Sequence, residues 1–252
     1  MKVPQPGASA KNNPRPPCPH DPKTQQARQN SSGKQQTSCC PTEGAPVDPA
    51  NPAAAAMAAL GFTVVASRDD IGAGIAPVTG AEATEMTRAT RQAARDLVRL
   101  QEEAGTDEVF QYMLGLVRDA ISLYRDGGTI HILTRFANLT LALRALEVRD
   151  DAWARMAPEY CGAHLRLWTD VTRHAQPGYI AAPASLLAFT AWQDAQGALA
   201  NLALDRALAD DPDYTMAQLI RDALTAGIPP SQAVLSMTPE EVADSYRRQN
   251  QQ

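Results

Sequence analysis

The segment from Ser185 to Gly227 constrains the fold more than any other part of the chain, because small and apolar residues recur in it at helical spacing. It is long enough for three helices, and Asp211-Pro212 separates the second from the third. Ala200 and Ala207 are small enough to let neighbouring helix backbones approach closely, while Leu204 fills the remaining groove. The pattern predicts closely packed helices.

Within that segment, several residues fall close to the spacing of a tetratricopeptide-type helix hairpin. They are Leu187, Ala188, Ala200, Ala207, Leu208 and Pro212. We therefore expect a mainly α-helical protein, a helical bundle with one tetratricopeptide-like helix hairpin near the C-terminus. The β-branched run at residues 62–66 adds a minor short strand to this expectation.

The amino-acid composition of the N-terminal residues differs from that of the rest of the chain, and this difference divides the chain into a tail and a folded domain. All four lysines and 11 of the 19 prolines lie within residues 1–52. Large apolar side chains are almost missing before Ser38, so this segment cannot bury enough surface to offset its ordering entropy. We expect residues 1–50 to be a disordered Pro/Lys-rich tail and residues 51–252 to form one helical domain.

The charge of the two parts limits the classes of partner. Residues 1–36 carry a net charge of +5, and residues 37–252 carry −10. The negative body offers no basic stripe for phosphates, so we expect no nucleic-acid partner. The chain has no apolar run of about 18 residues and no apolar signal core after Met1, which predicts no membrane association and a cytoplasmic location.

Local start and stop signals predict the helices of the body. Ser67 and Thr106 are expected to cap helices, and Thr238 with its following proline and two glutamates is a strong start signal. The run from Ile132 to Leu146 is apolar on more than one face, which predicts a position near the centre of the core. The predicted helices span residues 51–60, 68–70, 80–105, 106–126, 132–146, 151–156, 158–175, 183–195, 198–209, 215–226 and 239–248.

One stretch of the body collects most of the residue types that are used for binding or catalysis. They are Arg149, Asp150, Asp151, Trp153, His164 and Trp168. The two carboxylates and His164 could perform acid/base chemistry if the fold brought them together. A structural interpretation is stronger: Asp151 caps a helix, Asp150 pairs with Arg149 or Arg155 at the surface, both tryptophans anchor the core, and His164 is packed. We treat the six as candidate binding residues and predict no catalytic residue.

Two further motifs are weak. Cysteines 39 and 40, with Cys18 and His20, lack the spacing of a zinc site. Gly72 and Gly74 lack the third glycine of a dinucleotide turn. We therefore expect no metal and no cofactor.

Several short sequence segments, in a fixed order, resemble those of a known protein family. They are Val148–Met156, Ala163–Asp170, Ala181–Phe189, Gly197–Leu208 and Met237–Glu241. They closely resemble the C-terminal half of the actinobacterial domain-of-unknown-function family numbered 4192. The resemblance extends from near Cys39 to Tyr246 and implies a truncated or divergent member, in which residues 1–36 stand where the family has an α/β N-terminal half. It implies no activity and no catalytic residue.

These observations favour a helical protein-interaction or structural module over an enzyme. If the missing half normally covers the helices between Val109 and Leu146, the chain exposes apolar surface there and binds a protein partner or self-associates. The alternative is a small-molecule-binding domain, or part of an enzyme, that uses the region around Asp150, Asp151 and His164. A pocket joining these three residues would favour the alternative, and a solid core would favour the interaction module.

Overall fold

The fold is known from a computed structural model that describes residues 67–232 and 237–249. The predicted tail at 1–50, the helix at 51–60 and the strand at 62–66 lie outside these residues. Within the described ranges the regular elements are helices, and no strand occurs. The predicted mainly helical class is confirmed.

Ten α-helices are described, and two of the connections between them contain a short 3₁₀ turn, at Pro158–Tyr160 and Pro230–Gln232. The α-helices are α1 (Arg68–Gly74), α2 (Gly80–Ala104), α3 (Thr106–Arg125), α4 (Leu133–Ala142), α5 (Leu146–Ala154), α6 (Cys161–His174), α7 (Ala181–Gln193), α8 (Gly197–Asp210), α9 (Thr215–Thr225) and α10 (Pro239–Gln249).

Helix α7 is the centre of the core. Every residue from Ala181 to Trp192 is buried, because the helix packs against α6, α8 and α9 and carries no charged side chain. Its closest neighbour is α8, on which Ala200 and Ala207 are completely buried. The predicted close packing at these alanines therefore agrees with the structure, and the tetratricopeptide resemblance of the α7–α8 hairpin stays a prediction.

The apolar run 132–146 is central only in its middle part. It forms α4 and the following turn, where Phe136 and Leu143 are buried, whereas Ile132 and Leu146 are more than half exposed. The chain leaves the helix after Ala142, so the expectation of one continuous buried helix was wrong.

Local caps confirm two predicted helix starts and correct a third. The Ser67 hydroxyl accepts a hydrogen bond from the Asp70 backbone N–H. At α10, the Thr238 hydroxyl accepts from the backbone of Glu241, whose carboxylate accepts from the backbone of Thr238 in return, a reciprocal capping box. Thr106 lies inside α3, and the residue at the cap position is Gly105.

The start of α7 is capped from a distant part of the chain. The Asp210 carboxylate, at the end of α8, accepts hydrogen bonds from the backbone N–H groups of Gly178, Ile180 and Ala181 at 2.6, 2.8 and 3.1 Å. These donors lie around the first turn of α7, where backbone N–H groups lack partners within the helix. The contact fixes the two helices of the hairpin to each other at this end.

Candidate functional site

Asp151 lies in the middle of α5, and its carboxylate is the most strongly paired acidic group of the site. It is 3% exposed and accepts two hydrogen bonds each from Arg118, at 2.6 and 3.1 Å, and from Arg155, at 2.8 and 3.1 Å. Burial alone would raise the pKa of Asp151, but the two guanidinium groups hold this pKa below its usual value. The expectation that Asp151 caps a helix was wrong, because α5 begins five residues earlier, at Leu146.

Asp150 is the centre of a second polar cluster on the same helix. It accepts two hydrogen bonds from Arg149, at 2.6 and 2.8 Å, and one from the phenol of Tyr246 on α10, at 2.5 Å. Arg149 also donates to the phenol oxygen of Tyr214, 3.2 Å away, and its guanidinium lies over that ring. The pairing of Asp150 with Arg149 is as predicted, whereas Arg155 bonds to Asp151.

The three aromatic candidates lie in the core. Trp168 and His164 are buried one turn apart on α6 with their rings stacked, and Trp153 packs edge-on against Phe189 of α7. Among the described residues, neither indole N–H group has a hydrogen-bond partner. The backbone of Arg155 favours the charged imidazole of His164, but its effect is smaller than that of burial. Burial lowers the pKa of His164 to about 4, so the imidazole is neutral near pH 7.

A groove runs along the surface beside the first of these clusters. It has a volume of about 950 Å³ and is bounded by the end of α2 and by α3, α5 and α10. Apolar side chains that include Val109, Phe110, Met113 and Leu146 form much of its lining. Asp151 also borders the groove.

The structure therefore divides the six predicted residues into two groups. Arg149, Asp150 and Asp151 form paired polar clusters on α5, next to the groove, while His164 and Trp168 are buried and the half-buried Trp153 packs against the core. His164 and Asp150 are not among the residues that line the groove. The groove therefore does not join Asp150, Asp151 and His164 as an acid/base site would.

Sequence reasoning missed the distant partners of the two aspartates. Arg118 lies 33 residues before Asp151, Tyr214 lies 65 residues after Arg149, and Tyr246 lies 96 residues after Asp150. Two pairs carry a local signal: Arg149 is adjacent to Asp150, and Asp151 and Arg155 are four residues apart and share one helix face.

Other sites weighed from the sequence are also located. Gly72 and Gly74 lie within α1, so they do not form a phosphate-binding turn. Cys18, His20, Cys39 and Cys40 lie outside the described residues, and within those residues no group of histidine, cysteine and carboxylate side chains is arranged to hold a metal ion.

In the part of the chain that the structure describes, no helix has the length and apolar character needed to cross a membrane.

Comparison with known families identifies the chain. The model of the family described as "Domain of unknown function (DUF4192)" matches residues 23–231, most of the sequence, and the chain belongs to this family. The match begins earlier than the expected start near Cys39 and ends before the expected end at Tyr246. An actinobacterial source and a missing N-terminal half stay predictions. No curated protein and no solved structure matches the chain.

Proposed function

We propose that this member of the DUF4192 family is a helical protein-interaction module, and that it binds an amphipathic helix of a partner protein in the groove beside α3 and α5. The observation that carries the proposal is the position of α10. That helix already lies against α5, and its residues Val242, Ala243, Tyr246 and Arg247 form one wall of the groove. A helix laid along an apolar groove is a common mode of peptide recognition.

The contacts of α10 are those of a bound amphipathic helix. Val242 is 4% exposed, and Tyr246, one turn further along the same face, donates its hydrogen bond to Asp150. Glu240, Glu241 and Asp244 are exposed on the helix. One apolar face is thus turned to the groove and a charged face to solvent.

The groove suits a helix better than a reacting small molecule. A catalytic or ligand-binding pocket places a few convergent polar groups toward its ligand. Here the carboxylate of Asp151 is bonded to Arg118 and Arg155, and that of Asp150 to Arg149 and Tyr246. These strongly paired groups fix the orientation of α5, while apolar side chains such as Phe110 and Leu146 line the groove.

A display library of amphipathic helical peptides tests the proposal. The full-length chain is the target, both as wild type and as a variant with Val242→Ser and Tyr246→Phe, which loosens the resident helix. We expect selected helices to bind, and we expect Leu146→Arg to weaken binding at least about tenfold, because it places a charge in the apolar lining.

Leu219→Arg is the matched control. Leu219 has an exposed side chain like that of Leu146, at 58% against 53%, but does not line the groove. Binding should survive this substitution. The proposal is wrong if neither target yields a binder, or if the selected helices bind the Leu146→Arg chain as well as wild type.

A further inference from the structure

We infer that α10 occupies the α5 side of the groove, that the partner helix competes with it for this position, and that the partner displaces it by presenting the same two groups, an aliphatic residue and a tyrosine four positions later. This inference rests on the proposed function and names the partner that the groove recognises. Its basis is the pair Val242 and Tyr246, which are the contacts that hold α10 against α5.

The attachment of α10 is small. Of its residues whose side chains the structure describes, 239–248, only Val242 is buried, and Pro239, Ser245 and Tyr246 are half-buried. Tyr246 supplies the hydrogen bond to the rest of the chain, through Asp150. A second helix that offers the same pair can replace both contacts without leaving a buried group unpaired.

Two further polar contacts of α10 are internal to it, and the charge of Glu240 is attracted to Arg118 of α3. Its first turn is closed by the capping box of Thr238 and Glu241, and Arg247 forms an ion pair with Asp244 one turn earlier. These contacts do not depend on α5 and would persist in the displaced helix. Release of α10 therefore breaks few bonds beyond those of Val242 and Tyr246.

Asp150 can accept a hydrogen bond from the tyrosine of the partner helix in place of the one from Tyr246. Arg149 donates two hydrogen bonds to Oδ1 of Asp150, and Tyr246 donates to Oδ2. The side chain is 20% exposed, so Oδ2 can be hydrated during the exchange. Two guanidinium hydrogen bonds keep the carboxylate in place while its phenol partner changes.

The region matched by the family model includes the helices that form most of the groove but does not include α10. The walls supplied by α2, α3 and α5 lie within residues 23–231, while α10 begins at Pro239. The binding surface is thus part of the family module, and the helix that covers it follows the matched region.

A labelled peptide with the sequence of residues 237–249 tests the inference on the full-length chain. We expect it to bind the variant with Val242→Ser and Tyr246→Phe about tenfold or more tightly than wild type, because the variant's own helix has lost its buried aliphatic group and its hydrogen bond to a carboxylate. A control peptide with Val242→Ala and Tyr246→Ala should bind neither chain. A circular dichroism melt of the variant confirms that the core is folded.

Amide hydrogen exchange of the wild-type chain gives the second measurement. With saturating peptide, the amides of residues 240–249 should exchange faster, while those of α7 stay protected. Equal affinity of the peptide for the wild-type and variant chains, or unchanged amide exchange in α10, would overturn the inference that the two helices compete. A peptide that binds neither chain would also overturn it, whereas the proposed function would still be supported by library helices sensitive to Leu146→Arg.

Discussion

His164 makes the stability of this protein depend on pH in a defined window. Its side chain is 1% exposed, and burial lowers its pKa from 6.5 to about 4. In the unfolded chain the imidazole takes up its proton near pH 6.5. Below that pH the unfolded state binds more protons than the folded state, so the free energy of unfolding falls as the pH falls and is unaffected by this group above pH 7.

The size of the effect follows from the two pKa values. Each pKa unit is worth about 1.4 kcal/mol, so the difference corresponds to roughly 3 kcal/mol once the pH is well below 4. At pH 4.5 most of this is already lost. Such a loss is a large share of the roughly 5–15 kcal/mol that stabilises an ordinary domain.

Urea unfolding followed by tryptophan fluorescence between pH 4.5 and 7.5 measures the effect. His164→Leu should remove most of the slope in this range and change stability at pH 7.5 by less than about 1.5 kcal/mol, because the imidazole is buried and neutral at that pH and the Arg155 backbone influences it less than burial does. His131→Leu is the control, since His131 is exposed and its replacement should keep the slope. An unchanged slope in the His164→Leu chain would refute the reasoning.

Three further predictions concern stability in urea at pH 7. Asp151→Asn should lower the free energy of unfolding by about 3 kcal/mol, because it removes the buried charge that two arginines share; an effect below about 1 kcal/mol would contradict the importance of these pairs. Ala200→Leu and Ala207→Leu should each cost about 1–3 kcal/mol by overpacking α8, whereas the exposed Ala209→Leu should cost little, and equal midpoints for all three would place the alanines at the surface. Asp210→Ala should cost about 1–2 kcal/mol through the lost cap of α7, and a midpoint equal to wild type would show that water replaces the carboxylate.

Signals within a few residues predicted most of the helices. The capping residues Ser67 and Thr238 act on the next turn of the backbone, so their effect is readable from adjacent sequence. Helix α7 is different. It begins at Ala181 and not at the predicted Pro183, because the carboxylate of Asp210 caps it from another helix. A tertiary contact of this kind leaves no mark in the neighbouring residues.

In the candidate site too, features set by neighbouring residues could be predicted, and features set by tertiary contacts could not. The structural interpretation of His164 and the tryptophans was sound, because their spacing places them among apolar residues. Asp151 could not be understood from its surroundings in sequence, since its main partner, Arg118, belongs to α3. The groove also depends on α10, which follows α5 by more than 80 residues and reaches it only through the fold.

The cap that Asp210 supplies to α7 also affects the order in which the chain folds. Residues 178–181 leave the ribosome about 30 residues before Asp210, so the apolar helix at the centre of the core is made before its cap exists. Its first turn gains the last of its hydrogen bonds only when the far end of α8 docks. Refolding kinetics of a chain with a weakened cap tell when this hairpin closes: refolding slows if closure precedes the rate-limiting step, and unfolding speeds up if closure follows it.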